Sequence, residues 1–109
     1  MPPADVAEFP DRRAAGRRTD STWVARTIAA AEHDREACFE LGVAYFTGAS
    51  GVKSDLIEAH MWFNLAAAGG HREAGDLRAE VSEEMTAREI AEAQRRARQW
   101  LVTNRRKAA

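Results

Sequence analysis

The sequence predicts an all-α chain, a short stack of about five antiparallel helices, and three observations carry that prediction. First, apolar residues make up 45% of the 109 positions, but 23 of them are alanine. Only 26 larger apolar side chains remain. That balance suits closely packed helices and suits a sheet poorly, because Ala is depleted in strands and β-branched residues are scarce here. Second, apolar positions recur at spacings of three and four, interrupted by glycine. Third, residues 28–37 (IAAAEHDREA) and 65–74 (LAAAGGHREA) share six of ten positions at an offset of 37 residues. A period of that size belongs to helical-hairpin repeats.

The elements follow in order. Ser21 or Thr22 is placed to cap a helix from about Trp23 to Ala31, with Trp23, Val24, Thr27, Ile28 and Ala31 on its apolar side. A second helix runs from about Arg35 to Thr47, where Ala37, Leu41, Ala44 and Tyr45 share one face. Gly48, Ala49, Ser50 and Gly51 end it. Asp55 caps a third helix, with Glu58 three residues on as its capping-box partner. This helix carries Leu56, Ala59, Met61, Trp62, Phe63, Ala66 and Ala67 and stops at Gly69-Gly70. A fourth spans about Arg72 to Glu83, with Ala74, Leu77 and Val81 as its apolar positions. Thr86 to Glu89 form a capping box for a fifth, whose stripe is Ile90, Ala93, Ala97, Trp100 and Leu101. On that fifth helix Arg88, Glu92, Arg95, Arg96 and Gln99 mostly face away. Residues 1–20, which hold all three prolines, read as a flexible tail. The helical domain is expected over 21–104, and 105–109 as a basic tail.

Composition excludes several functions. One cysteine permits no internal disulfide and no four-cysteine metal site. His33, His60, His71 and Cys38 form no metal-ligand spacing. Cys38 reads as a small buried hydrophobe, His60 as a partly exposed helix residue, and His71 as a cap for the fourth helix. Glu83 and Glu84 diverge on a helix and make no acid–base dyad. Gly48 to Gly51 lack the lysine and hydroxyl of a phosphate loop. No cofactor and no metal are expected. No stretch approaches the roughly 18 apolar residues of a membrane span. The first twenty residues lack the apolar stretch of a secretory signal, so the expected location is the cytoplasm.

The net charge of −1 conceals a division. Residues 1–20 are neutral, 21–85 carry −6 and 86–109 carry +5.

Residues 37–70 resemble a Sel-one-like repeat, a relative of the tetratricopeptide repeat built from antiparallel helix pairs. The residues that carry the likeness are Ala37, Leu41-Gly42, Tyr45, Gly48, Gly51, Val52, Asp55, Ala59, Trp62-Phe63, Ala66-Ala67 and Gly70. Ala49-Ser50 lengthens the loop between the glycines. The flanks fit as partial repeats, Ala29-Ala30 and Ala37 corresponding to Ala66-Ala67 and Ala74. The fourth helix begins a degenerate copy, with Arg78-Ala79 in place of Leu-Gly. The run from Met85 to Gln94 resembles the closing helix of bacterial proteins of this type.

The resemblance implies a non-enzymatic protein-interaction adaptor whose first helix of each pair lines a concave surface. The implied contact residues are Glu36, Phe39, Glu40, Val43 and Phe46, carried by the offset to Glu73, Asp76, Leu77, Glu80 and Glu83. They make an apolar strip beside an acidic one, which fits a basic, amphipathic protein or peptide partner. From sequence, Phe39 and Phe46 are either exposed there or buried by the first helix. Two further readings stay open. One is a structural or regulatory homodimer. The other is nucleic-acid or anionic-surface binding through Arg95, Arg96, Arg98, Arg105, Arg106 and Lys107.

Overall fold

The computed structural model describes residues 23–108. The tail read over 1–20 and the cap expected at Ser21 or Thr22 lie outside them. The chain folds as a short helical-repeat solenoid, and no strand occurs among the described residues. The helices are α1 (23–31), α2 (Arg35–Thr47), α3 (Leu56–Ala68), α4 (Arg72–Ser82) and α5 (Ala87–Ala108). α5 continues through the segment expected as a tail, so the backbone of 105–108 is helical.

α3 organises the rest, because it packs against α2, α4 and α5. Its sequence explains why. Seven of its 13 residues are buried (Ala59, His60, Met61, Trp62, Phe63, Leu65 and Ala66), on every side of the helix. A helix apolar all round is stable only when surrounded. Its own Phe63, Leu41 of α2 and Val81 of α4 are the largest side chains removed wholly from water. Ala59, Ala66, Ala74 and Ala93 are equally buried and keep the helices close.

The ends are fixed by local chemistry. At α2 the carboxylate of Asp34 accepts from the Glu36 amide at 2.8 Å. Gly48 takes the left-handed conformation (φ 78) that a non-glycine residue adopts only at a cost, and donates its N–H to Ala44. The connection to α3 is closed by the Asp55 amide donating to the Tyr45 carbonyl at 2.9 Å. The Ser54 hydroxyl donates to the Phe46 carbonyl at 3.4 Å. The inserted Ser50 itself sits at φ 59, between the two turn glycines.

Asp55 caps α3 as expected, accepting from the amides of Ile57 and Glu58 at 3.0 and 3.1 Å. The reciprocal half of that capping box does not form. The Asp55 amide is already spent on Tyr45, and Glu58 turns instead to Trp62 and Arg96. Truncating Asp55 to Ala frees both capped amides and lowers stability by about 1 kcal/mol, read from urea unfolding followed by circular dichroism. At the other end of α3, His71 donates to Ala66 and Gly70 (φ 100) donates to Ala67, the pattern of a Schellman stop. The capping box at Thr86 and Glu89 forms in both directions, at 2.8 and 3.1 Å.

Two burial expectations are overturned. His60 is buried rather than partly exposed, at 3%. It lies between Ala59 and Met61 on the helix that neighbours enclose, so no face of α3 is left to solvent there. Leu101 is exposed at 42%, and Val102 beside it at 39%. The buried stripe of α5 stops with Ala93 and Ala97, while Trp100 meets Trp62 edge-on at 5.7 Å and is half-buried. The repeat offset also preserves residue type better than surroundings. Ala66 is fully buried, whereas Ala29 is exposed.

Candidate functional site

The implied contact residues divide into three groups. Glu36, Phe39, Glu40 and Val43 come together along one side of α2. With Trp23 of α1 and the loop residues Ala49 and Ser50 they line a cavity of about 430 Å³. Phe46 does not line it. Glu73, Asp76, Glu80 and Glu83 are exposed around α4, away from the cavity, and Leu77 is half-buried against the core.

Phe39 and Phe46 are half-buried, and what they share is the ring of Phe63 on α3. Phe39 meets that ring at 5.8 Å, and Phe46 meets it edge-on at 6.4 Å. This is an outcome between the two alternatives left by the sequence. Each phenylalanine is anchored on the core ring and remains partly exposed. The spacing of three and four along α2 puts the apolar anchors Phe39, Val43 and Phe46 beside the acids Glu36 and Glu40.

His71 braces this side of α2. It occupies the N-cap position of α4, but its side chain makes no capping bond, contrary to the sequence reading. Its ring instead stacks on Phe39, with centroids 4.0 Å apart and planes 13° from parallel. Its Nε2 lies 3.1 Å from Glu36 Oε1. An aromatic partner two helices away outweighs a local cap, because stacking both covers Phe39 and fixes the adjoining carboxylate. No spacing in the sequence signals this contact, which joins residues 35 positions apart.

A second cavity, of about 550 Å³, was not anticipated. It lies between the α1–α2 turn (Glu32 to Arg35), Leu65 and Gly69 of α3's end, and Trp100 and Leu101 of α5. Cys38 reaches its wall but is 3% exposed, and its thiol donates to the Ala31 carbonyl at 3.5 Å. Burial pushes that thiol up to about 11, with Asp34 adding to the effect, so it stays protonated at neutral pH. Cys38 therefore packs as the small hydrophobe it was read to be. Arg35 crosses to the Gly69 carbonyl at 3.0 Å and pins α2 to the end of α3. Among the described residues no group of three His, Cys, Asp or Glu is placed to hold a metal ion.

The basic face of α5 is partly neutralised within the fold. Glu92 pairs with both Arg95 and Arg96, and Arg96 reaches Glu58 on α3 at 3.0 Å. The arginine hydrogen bonds hold the Glu92 carboxyl down at about 2. Two of the six cations of the nucleic-acid reading are thus already engaged.

Residues 35–71 match the family model of the Sel1 repeat. The chain carries a Sel1 repeat. The match begins at the first residue of α2 and ends at the cap of α4, so the Sel1 repeat is one helix pair with both of its turns. Sel1 repeats generally mediate protein–protein interaction and are typically non-enzymatic. Comparison with curated proteins and with solved structures gives no match. Among the described residues no helix is long and apolar enough to cross a membrane.

His60, inside the Sel1 repeat, sets a pH dependence. Its Nδ1 is buried without a hydrogen-bond partner. Burial, and then the charge of Arg78, hold its pKa below the ordinary 6.5. Below that ordinary value the unfolded chain takes up a proton that the folded chain resists, so stability falls as pH drops. Urea midpoints measured at pH 7.5 and pH 5 are expected to show this fall, and His60→Gln to reduce it.

Proposed function

We propose that this protein is a non-enzymatic adaptor that binds a basic, amphipathic segment of a partner protein along α2. The observation that carries the reading is the cavity beside α2, where Trp23, Phe39 and Val43 supply apolar surface and Glu36 and Glu40 supply charge. Apolar contact gives such a site its affinity, and the carboxylates set register and exclude acidic competitors. Glu73, Asp76 and Glu80 extend the negative field along α4 and steer a basic partner on approach. In this reading the Sel1 repeat is the recognition unit, and the remaining helices cover its apolar ends.

Peptide arrays test the proposal. Basic amphipathic peptides are expected to bind the parent protein, and Glu36→Lys/Glu40→Lys to weaken them by about ten-fold or more. Glu40 is exposed and Glu36 half-engaged with His71, so the variant stays folded, which a thermal melt checks. Equal binding by parent and variant would remove the acidic groove from the account.

A further inference from the structure

The walls of the α2 cavity hold two aromatic rings, Trp23 and Phe39, and two carboxylates, Glu36 and Glu40. Among the described residues no cation lines it. The fold itself shows how one ring and one carboxylate of this set are satisfied. The imidazole of His71 lies flat on Phe39, with centroids 4.0 Å apart and planes 13° from parallel. Its Nε2 lies 3.1 Å from Glu36 Oε1. A planar nitrogen group thus covers the ring with its face and meets the carboxylate with its edge. The other ring and the other carboxylate have no such group. Trp23 is half-buried, packed on the core, and makes no ring contact among the described residues. Glu40 is exposed and has no hydrogen-bond or ion-pair partner among them.

The His71 arrangement defines what would satisfy the second pair. The group must be flat, to stack on an indole. It must carry N–H donors at its edge, to reach a carboxylate. It must be positively charged, because the charge of Glu40 is uncompensated. The arginine guanidinium meets all three conditions at neutral pH. A lysine ammonium is a compact, strongly hydrated point charge without a stacking face. Tryptophan is also the aromatic side chain that holds a cation best. Ala44, Ala49 and Ser50 complete the wall with short side chains, which leaves the cavity open to a long one.

We infer that the α2 cavity is an arginine subsite, in which a guanidinium of the partner segment stacks on Trp23 and pairs with Glu40. The inference rests on the reading of this cavity as a basic-segment site, and it adds that the site selects arginine over lysine. Phe39 and Glu36, already held by His71, form the opposite part of the wall, where Val43 and Phe39 take an apolar neighbour of that arginine. Trp23 and Glu40 are then the residues that determine specificity, while Glu36 contributes to the general attraction for basic segments.

The test compares two fluorescent amphipathic peptides, LRALLRALL and LKALLKALL, binding to the full chain at neutral pH and followed by anisotropy. The arginine peptide is expected to bind at least about five-fold more tightly. This comparison needs no variant of the protein. Two substitutions then locate the preference. Trp23→Leu keeps apolar bulk and removes the stacking face, and Glu40→Gln keeps the shape and removes the charge. Either should reduce the arginine-to-lysine ratio to about two-fold or less. Glu40 is exposed, so its variant stays folded even if Trp23→Leu loosens α1, and thermal melts check both. A smaller ratio than five-fold in the parent overturns arginine selection but leaves the cavity as a basic-segment site. A ratio unchanged by both substitutions overturns its assignment to Trp23 and Glu40. Binding of neither peptide removes the basic-segment reading as well.

Discussion

Replacing Gly42 by alanine lowers the stability of the fold by up to about 2 kcal/mol, and the melting temperature by up to roughly 15 °C, even though alanine is the better helix former. The new Cβ would lie 2.5 Å from Cδ1 and Cε1 of Phe63. Phe63 has nowhere to go. It is wholly buried, with Phe39 at 5.8 Å on one side and Phe46 at 6.4 Å on another. The gain in helix propensity, close to 1 kcal/mol, is therefore outweighed by overpacking of about 1–3 kcal/mol. The larger Gly42→Val should cost more. Combining Gly42→Ala with Phe63→Leu should be better than the sum of the two losses, because the smaller side chain vacates the contested space. Thermal melts of the four proteins complete the cycle. An alanine variant as stable as the parent would mean that the ring shifts freely. Because Phe39 and Phe46 lean on the same ring, the substitution also reaches the α2 cavity, and peptide binding should weaken alongside stability.

The second large effect is expected at Glu58, whose two oxygens hold two helices. Oε1 accepts from the indole N–H of Trp62 at 3.2 Å, and Oε2 accepts from Arg96 at 3.0 Å. Trp62 is 3% exposed, so Glu58→Ala leaves a buried donor unsatisfied, at about 1–3 kcal/mol. The Arg96 pair is part-exposed and screened, and adds only a few tenths. Glu58→Gln keeps an acceptor for the indole and should cost less than half as much. Urea unfolding of the two variants separates the contributions, and equal losses would show that charge rather than the indole bond dominates. Arg96→Met in the Glu58→Ala background should then change little, since its interhelical partner is already gone.

The helices and their ends were legible because they are local. Arg35–Thr47 follows from a stripe bounded by Gly48, and the Thr86–Glu89 box is complete within four residues. The repeat was legible because glycines and alanines mark the points where a neighbouring helix comes close, as at Gly42, where a Cβ would lie 2.5 Å from the Phe63 ring. The side chains that fix the site were not. His71 looks like a cap from its neighbours, but its partners Phe39 and Glu36 are brought to it by the pairing of α2 with α3. His60 was misread for a related reason. On a helix enclosed by three others, periodicity has no polar face against which to orient a residue. Glu58 satisfied the capping-box spacing, yet the amide it should have taken was claimed by Tyr45 across the loop. Of the implied contact residues, those on α2 converge because they share one stretch of helix. Those on α4 depended on an offset that carries residue types forward without carrying their surroundings.

The connection between α2 and α3 has a further consequence. It is fastened at its roots, where Tyr45 receives the Asp55 amide and Phe46 receives the Ser54 hydroxyl. Its tip, Ala49 and Ser50, forms one wall of the α2 cavity. Residues can therefore be added or exchanged at the tip without altering how the two helices register. Only this rim of the cavity is free of the fold in that way: Glu36, Phe39, Glu40 and Val43 lie on α2 itself, so mutation can retune the cavity at the tip while the helical scaffold is inherited intact.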